Sequence, residues 1–278
     1  MNIKQEVNLI LSEIRRSRPL IHHLTNAVTI NDCANMTLAV GASPVMSTHR
    51  DEVREVVRAS RALVLNIGMI SDLAEEAMHI AGDEARKQGI PIVLDPVGAG
   101  ATEHRREVAL SLIADVKPTV IRGNLSEMRA LLGEASYACG VDASGADDDG
   151  LAVALRTART FGCVTAMTGA RDIITDGTTY YLIRNGHSML TRVTGTGCMT
   201  TSLIASCLAV TERPLAAAVA GVLAMGLAGE MAHKSLFGSA GIGAFKVKLF
   251  DAIFALSSIE VEQYAKIEQG EALWKQEN

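Results

Sequence analysis

Arg61-Ala-Leu-Val-Leu-Asn-Ile-Gly68 runs apolar without alternation, broken only by Asn66 between a basic start and a glycine stop. A strand with one wet face alternates polar and apolar residues, whereas a strand apolar on both sides belongs in a sheet covered on both faces. The next segments keep this pattern. Ser71 to Gln88 reads as a helix, with Ser71 as its N-cap and Gly89 as its stop. Pro91-Ile-Val-Leu-Asp95 is a second buried strand, Glu103 to Asp115 a helix, Thr119-Val-Ile-Arg-Gly123 a third strand, and Ser126 to Leu132 is helical again. A helix from about Gly150 to Thr160 precedes Cys163-Val-Thr-Ala-Met-Thr168, another strand. The expected fold class is α/β, with a largely parallel central sheet and helices on both faces.

Outward from this core the pattern changes. Asp172 to Thr175 and Tyr180 to Ile183 flank Asp176-Gly177-Thr178-Thr179, a hairpin signal. Three helices are expected after it, at Cys198 to Val210, Pro214 to Leu236 and about Phe245 to Glu268. Between Arg213 and Glu230 every residue is uncharged, but the stretch falls short of the roughly 20 residues a membrane span requires and reads as a core helix. No repeat or low-complexity linker divides the chain, so residues 1–278 are read as one domain. Apolar residues make up 48% of it, and the formal net charge is −5 with 26 basic and 31 acidic residues. Scattered basic residues and only 4% aromatics argue against a nucleic-acid surface. Cys33, Cys139, Cys163, Cys198 and Cys207 form no C-x-x-C pair. With an amphipathic N-terminal stretch in place of a leader, they point to the reducing cytoplasm.

Candidate site residues cluster at strand exits, where open parallel sheets bind ligands. Asp95 ends one strand, Arg122 and Asn124 follow another, and Thr168-Gly169 end a third. Asp95 and Glu127 offer oxygen ligands for Mg²⁺, directly or through water. Glu127 equally fits a capping box with Asn124, and Arg122 could pair with a triphosphate or form a surface salt bridge. No Walker A or dinucleotide fingerprint is present. Thr194-Gly195-Thr196-Gly197-Cys198 instead opens a helix that carries no charge before Glu212. The amides of Gly195, Thr196, Gly197 and Cys198 would converge on a transferring phosphoryl group, or the glycines only make a tight helix entry. Cys198, in the first turn, is expected to have its pKa lowered by the helix dipole and to face a substrate hydroxyl; a small buried residue is the plainer alternative. His22 and His23 lack a third metal ligand and read as satisfied histidines, with Asn26 as a substrate or capping amide. Met46 suits either a sulfur ring or the core. Asp147-Asp148-Asp149 reads as the acidic start of a helix.

Taken together, His23-Leu-Thr-Asn26, Gly41-Ala-Ser-Pro-Val-Met46, Leu94-Asp-Pro-Val-Gly-Ala99, Arg122-Gly-Asn-Leu-Ser-Glu127, Met167-Thr-Gly169 and Thr194-Gly-Thr-Gly-Cys-Met199 resemble the hydroxyethylthiazole kinase family, from about residue 20 to residue 245. The resemblance implies a ribokinase-like fold and transfer of the ATP γ-phosphate to the hydroxyl of 4-methyl-5-(2-hydroxyethyl)thiazole, in thiamine biosynthesis or salvage. It also implies Mg²⁺ dependence and a homotrimer with sites at subunit interfaces. Carried over, Met46 and Gly195 contact the thiazole, which Asn26 and Val28 border; Arg122 and Thr168 contact ATP; and Asp95 and Glu127 lie near the Mg²⁺–phosphate cluster. Cys198 stands where most ribokinase-like kinases have an aspartate base. A hydroxymethylpyrimidine or sugar kinase, or a nucleotide-dependent hydratase-type lyase, would be expected to keep that aspartate. A thiazole-binding protein without activity would not need the anion turn.

Overall fold

The computed structural model describes residues 1–134 and 146–272, with the backbone alone at 146–148. Cys139 and the side chains of Asp147 and Asp148 therefore lie outside the described residues.

Helix α1 (Ile3–Ser17) leads into strand β1 (Leu20–Leu24), helix α2 (Ile30–Val40), the short strand β2 (Ser43–Val45) and helix α3 (Val53–Ala59). The apolar run Arg61–Gly68 forms β3 (Ala62–Asn66), followed by α4 (Asp72–Gln88). The Ser71 hydroxyl accepts the Ala74 amide, and Gly89 closes α4 in the left-handed region at φ +68°, as expected of a glycine stop. Strand β4 (Ile92–Asp95), α5 (Glu103–Val116), β5 (Val120–Gly123), α6 (Leu125–Leu131), α7 (Ala146–Phe161) and β6 (Val164–Met167) complete the alternation. The hairpin is β7 (Asp172–Thr175) and β8 (Thr179–Ile183). A 3-10 turn at Ser188–Arg192 precedes α8 (Thr196–Leu208) and α9 (Pro214–Lys234).

One expectation fails at the end of the chain. Instead of a single helix to about residue 268, the chain forms α10 (Ile242–Ala255), α11 (Ser258–Tyr264) and a last strand, β9 (Ile267–Glu271). Ser257 restarts the helix through a capping box with Glu260, and the open edge of β8 takes β9 as its antiparallel partner. Two further strands, β1 and β2, were not expected from the sequence at all. All nine described strands form one sheet in the order β2-β1-β3-β4-β5-β6-β7-β8-β9, parallel up to β6 and antiparallel from there.

Alternate residues of each strand feed two cores. Ala62, Val64, Val93, Val120, Val164 and Ala166 face α1, α2, α8, α9 and α10, while Leu63, Leu65, Leu94 and Ile121 face α3, α4, α5 and α7. Helix α9 is the one described helix long and apolar enough to cross a membrane, yet it is mostly buried and packs between α8 and α10. It is the core helix the sequence suggested. By the period of two, Asn66, Asp95, Arg122 and Thr168 continue the α8 side of their strands. All four therefore come out at the carboxyl ends of β3 to β6, on the face where α8 begins.

Candidate active site

Gly195 is the N-cap of α8 and has φ +84°. That region favours glycine, and a Cβ there would also stand 2.5 Å from Thr29 Cγ2. No side chain caps the helix, and its first internal bond runs from the Met199 amide to the Gly195 carbonyl at 2.8 Å. The amides of Thr196, Gly197 and Cys198 are thus left for a ligand. Arg122 packs directly against this turn, because a Cβ on Gly197 would meet its guanidinium carbon at 2.9 Å. Far from being a surface charge, Arg122 has only 13% of its side chain exposed; it donates to the Thr168 hydroxyl at 2.5 Å and lies 3.7 Å from Asp95.

Behind the turn lies a buried polar chain. Asn26 donates to Asn66 Oδ1 at 2.9 Å, and Asn66 Nδ2 reaches Asp95 Oδ2 at 3.0 Å and Cys198 Sγ at 3.2 Å. Thr201, one turn further along α8, donates to the same Asp95 oxygen at 2.7 Å. The other oxygen, Oδ1, is buried with no hydrogen-bond partner among the described residues. Burial pushes the Asp95 carboxyl above its ordinary range, against the pull of Arg122.

Cys198 corrects an expectation. Its thiol is pushed up, not down, first by burial and then by the neighbouring Asp95 charge; the Thr29, Asn66 and Asn26 hydrogen bonds oppose this without prevailing. The helix dipole acts at the helix end, but the desolvation of a buried thiolate is the larger effect. Cys33 and Cys163, each pushed up to about 12 by burial, are simple core thiols.

Glu127 takes the capping role that its spacing also offered. Oε2 accepts the Asn124 amide at 2.8 Å and Oε1 the Gly98 amide at 2.9 Å, so the carboxylate ties the β4 exit to the β5 exit. Burial and Asp95 raise its pKa. Among the described residues no three His, Cys, Asp or Glu side chains converge as a metal cluster. Asn26 Oδ1 accepts both the amide and the hydroxyl of Thr29, which makes Asn26 a turn-capping amide that also joins the polar chain behind the α8 entry. His23 is a neutral core histidine, pushed down to about 4 by burial and bonded to Ile21 and Ser202. His22 bonds Ser47 O at 2.8 Å while its Nδ1 has no partner among the described residues. Met46 follows β2 and is half-buried against the core. Val28 stands 64% exposed, outside the polar chain.

Sequence reading missed Asn66, Thr29, Thr201 and Arg105. The guanidinium of Arg105 binds the carbonyls of Ile67, Val97 and Gly68 at 2.8, 2.9 and 3.1 Å and so laces two strand exits together. Only Asn66 left a trace in the sequence, as the one polar residue interrupting an apolar strand.

A cavity of about 590 Å³ opens beside Arg122, bounded by Thr168, Asp172, Asn185, Thr196 and Met225. At its rim Asn185 donates to the Tyr264 carbonyl at 2.9 Å and to Glu230 at 3.1 Å, and accepts the Lys266 amide at 2.7 Å. The arrangement can seat an anionic ligand at the α8 entry, bounded by the cavity on one side and the Asn26–Asn66–Cys198 chain on the other.

Residues 11–259 match the hydroxyethylthiazole kinase family. The chain is 48% identical over 253 residues to a hydroxyethylthiazole kinase of Alkaliphilus metalliredigens, covering 91% of this chain and 93% of that one. A solved structure of a hydroxyethylthiazole kinase protein from Pyrococcus horikoshii OT3 superposes with a TM-score of 0.88 at 37% identity, over 96% of this chain and 99% of that one. Pyridoxal kinase from Bacillus subtilis shares the fold alone, with a TM-score of 0.55 at 16% identity over 80% of this chain and 94% of that one. The fold is ribokinase-like.

Proposed function

Since this chain belongs to the hydroxyethylthiazole kinase family, we propose that it transfers the terminal phosphoryl group of ATP to the primary hydroxyl of 4-methyl-5-(2-hydroxyethyl)thiazole, supplying thiamine synthesis or salvage. The observation that carries this reading is the uncapped entry of α8, with Arg122 packed on Gly197 on one side and the Cys198 thiol in its first turn. The triphosphate lies in the cavity against Arg122 and Thr168. The thiazole lies beyond Gly195, bordered by Asn26, Val28 and Met46. The hydroxyl oxygen attacks the γ-phosphorus as the bond to the β-phosphate oxygen breaks, and ADP leaves. The amides of Thr196, Gly197 and Cys198 meet the charge spread over the transferring group, while Arg122 neutralises the phosphates of the bound nucleotide.

Phosphoryl transfer of this kind requires little help from a strong base. That agrees with a thiol held protonated and already accepting from Asn66 at 3.2 Å and Asn26 at 3.6 Å. Cys198 orients the hydroxyl, and the proton passes late to a phosphate oxygen. Mg²⁺, when bound, neutralises charge on the phosphates. Asp95, with Oδ1 unpartnered, would hold it through water; Glu127 lies alongside, its oxygens engaged by backbone amides.

Our reading also takes the chain to be a cytoplasmic homotrimer of one kinase domain per chain, with sites at the subunit interfaces. In support, Val28 beside the α8 entry, Leu38 on α2 and Val247 and Phe254 on α10 are 64, 55, 61 and 75% exposed, and α2 packs against α10. The four described cysteines are free thiols, which suits a reducing compartment. Incubation with Mg-ATP and the thiazole alcohol tests the main reading: ADP and a phosphorylated thiazole are expected, and absence of thiazole-dependent ADP would sink it.

A further inference from the structure

Arg122 and Thr168 carry the nucleotide side of the proposed site, but neither is held in place by its own strand alone. Thr168 lies in the turn between β6 and β7, where the sheet changes from parallel to antiparallel. Its amide donates to the Gly123 carbonyl at 2.8 Å, which ties the start of the turn to β5. The next residue, Gly169, donates its amide to Asp172 Oδ1 at 2.9 Å, closing the turn on the first residue of β7. Asp172 is buried, 8% exposed, and borders the same cavity as Arg122 and Thr168. A buried carboxylate is costly unless it is used, and among the described residues this one spends an oxygen on a single backbone amide, next to the residue that holds Arg122.

We propose that Asp172 is a positioning residue for the triphosphate: through the Gly169 amide it fixes the Thr168 hydroxyl, and through that hydroxyl the Arg122 guanidinium. It touches no reacting atom. Its effect should fall on nucleotide binding and not on the chemical step, because the amides of the α8 entry and Cys198 do not depend on the turn. What matters on this view is the acceptor oxygen, which asparagine retains, and not the charge.

This inference rests on the assignment of ATP to the cavity beside Arg122, so nucleotide binding is measured apart from turnover. Calorimetric titration of ATP into the wild-type chain, D172A and D172N is combined with steady-state kinetics on ATP and the thiazole alcohol, and with thermal unfolding of all three. D172A is expected to raise the KM and Kd for ATP about tenfold while kcat falls by less than about threefold. D172N is expected to return both constants to within about twofold of wild type. Unchanged ATP affinity in a folded D172A would overturn the proposal. So would a D172N as impaired as D172A, which would assign the role to charge, or a loss in kcat equal to the loss in affinity. Wild-type chain that binds ATP but turns over no thiazole would refute the acceptor assignment and leave the Asp172 measurement standing. Failure of the wild type to bind ATP would refute both.

Discussion

At the scale of single residues, Cys198 combines a helix-start position with a thiol that burial and Asp95 keep protonated. If its task is orientation, a base of different strength in its place should be tolerated. Cys198→Asp is expected to retain turnover, and Cys198→Ala to lose about ten- to a hundredfold in kcat, both read as thiazole-dependent ADP release. Abolished turnover in a folded Cys198→Asp that still binds ATP would show that the thiol does something a carboxylate cannot. Arg122 offers a second test. Its planar guanidinium packs on Gly197 and donates to Thr168, a geometry that a lysine ammonium does not reproduce. Arg122→Lys should therefore raise the KM for ATP by about tenfold or more, with the melting temperature nearly unchanged.

At the scale of elements, the α8 entry is shaped by two glycines for different reasons. Gly195 needs its left-handed backbone, whereas Gly197 has no positive φ and simply leaves no room beside Arg122. Gly197→Ala should accordingly fold, push the guanidinium aside, and lower kcat/KM for ATP by about tenfold, a loss that ATP titration and a thermal melt would separate from instability. Most of this entry was legible beforehand. Buried parallel strands announce themselves by unbroken apolar runs, and the parity of those runs places Asn66, Asp95, Arg122 and Thr168 on one face. The strands that escaped lack that signature. In β1 the histidines at 22 and 23 read as polar, although burial keeps His23 neutral. β2 has three residues and contains Pro44, tolerable only because the strand lies at the sheet edge. β9, Ile267-Glu-Gln-Gly-Glu271, is polar because it forms the opposite edge and is largely wet. Arg105 and Thr201 were invisible for another reason: their partners lie 38 and 106 residues away, and no local pattern encodes such a distance.

At the scale of the whole molecule, two buried groups set opposite limits on stability with pH. His23 has a folded value of about 4 against an ordinary 6.5, so the stability it contributes is complete above the ordinary value and is lost as pH falls from about 6.5 to about 4. Asp172 is raised by burial from 3.8 to about 7, so its charge costs stability increasingly as pH rises across that interval. Asp172→Asn removes the second limit while keeping the acceptor. Its melting temperature should exceed that of the parent chain by more at pH 8 than at pH 5, and an equal difference at both would refute the assignment. The rim of the cavity has a further consequence. Asn185 borders the cavity and binds Tyr264 and Lys266, the residues that lead into β9. A chain that stopped before Lys266 would keep every residue of the α8 entry and the Asn185–Tyr264 bond, but would lose the Lys266 amide that Asn185 accepts at the rim of the cavity. The last strand thus does two jobs from outside the cavity: it covers the open edge of β8 and brings the Lys266 amide that steadies Asn185 at the cavity rim.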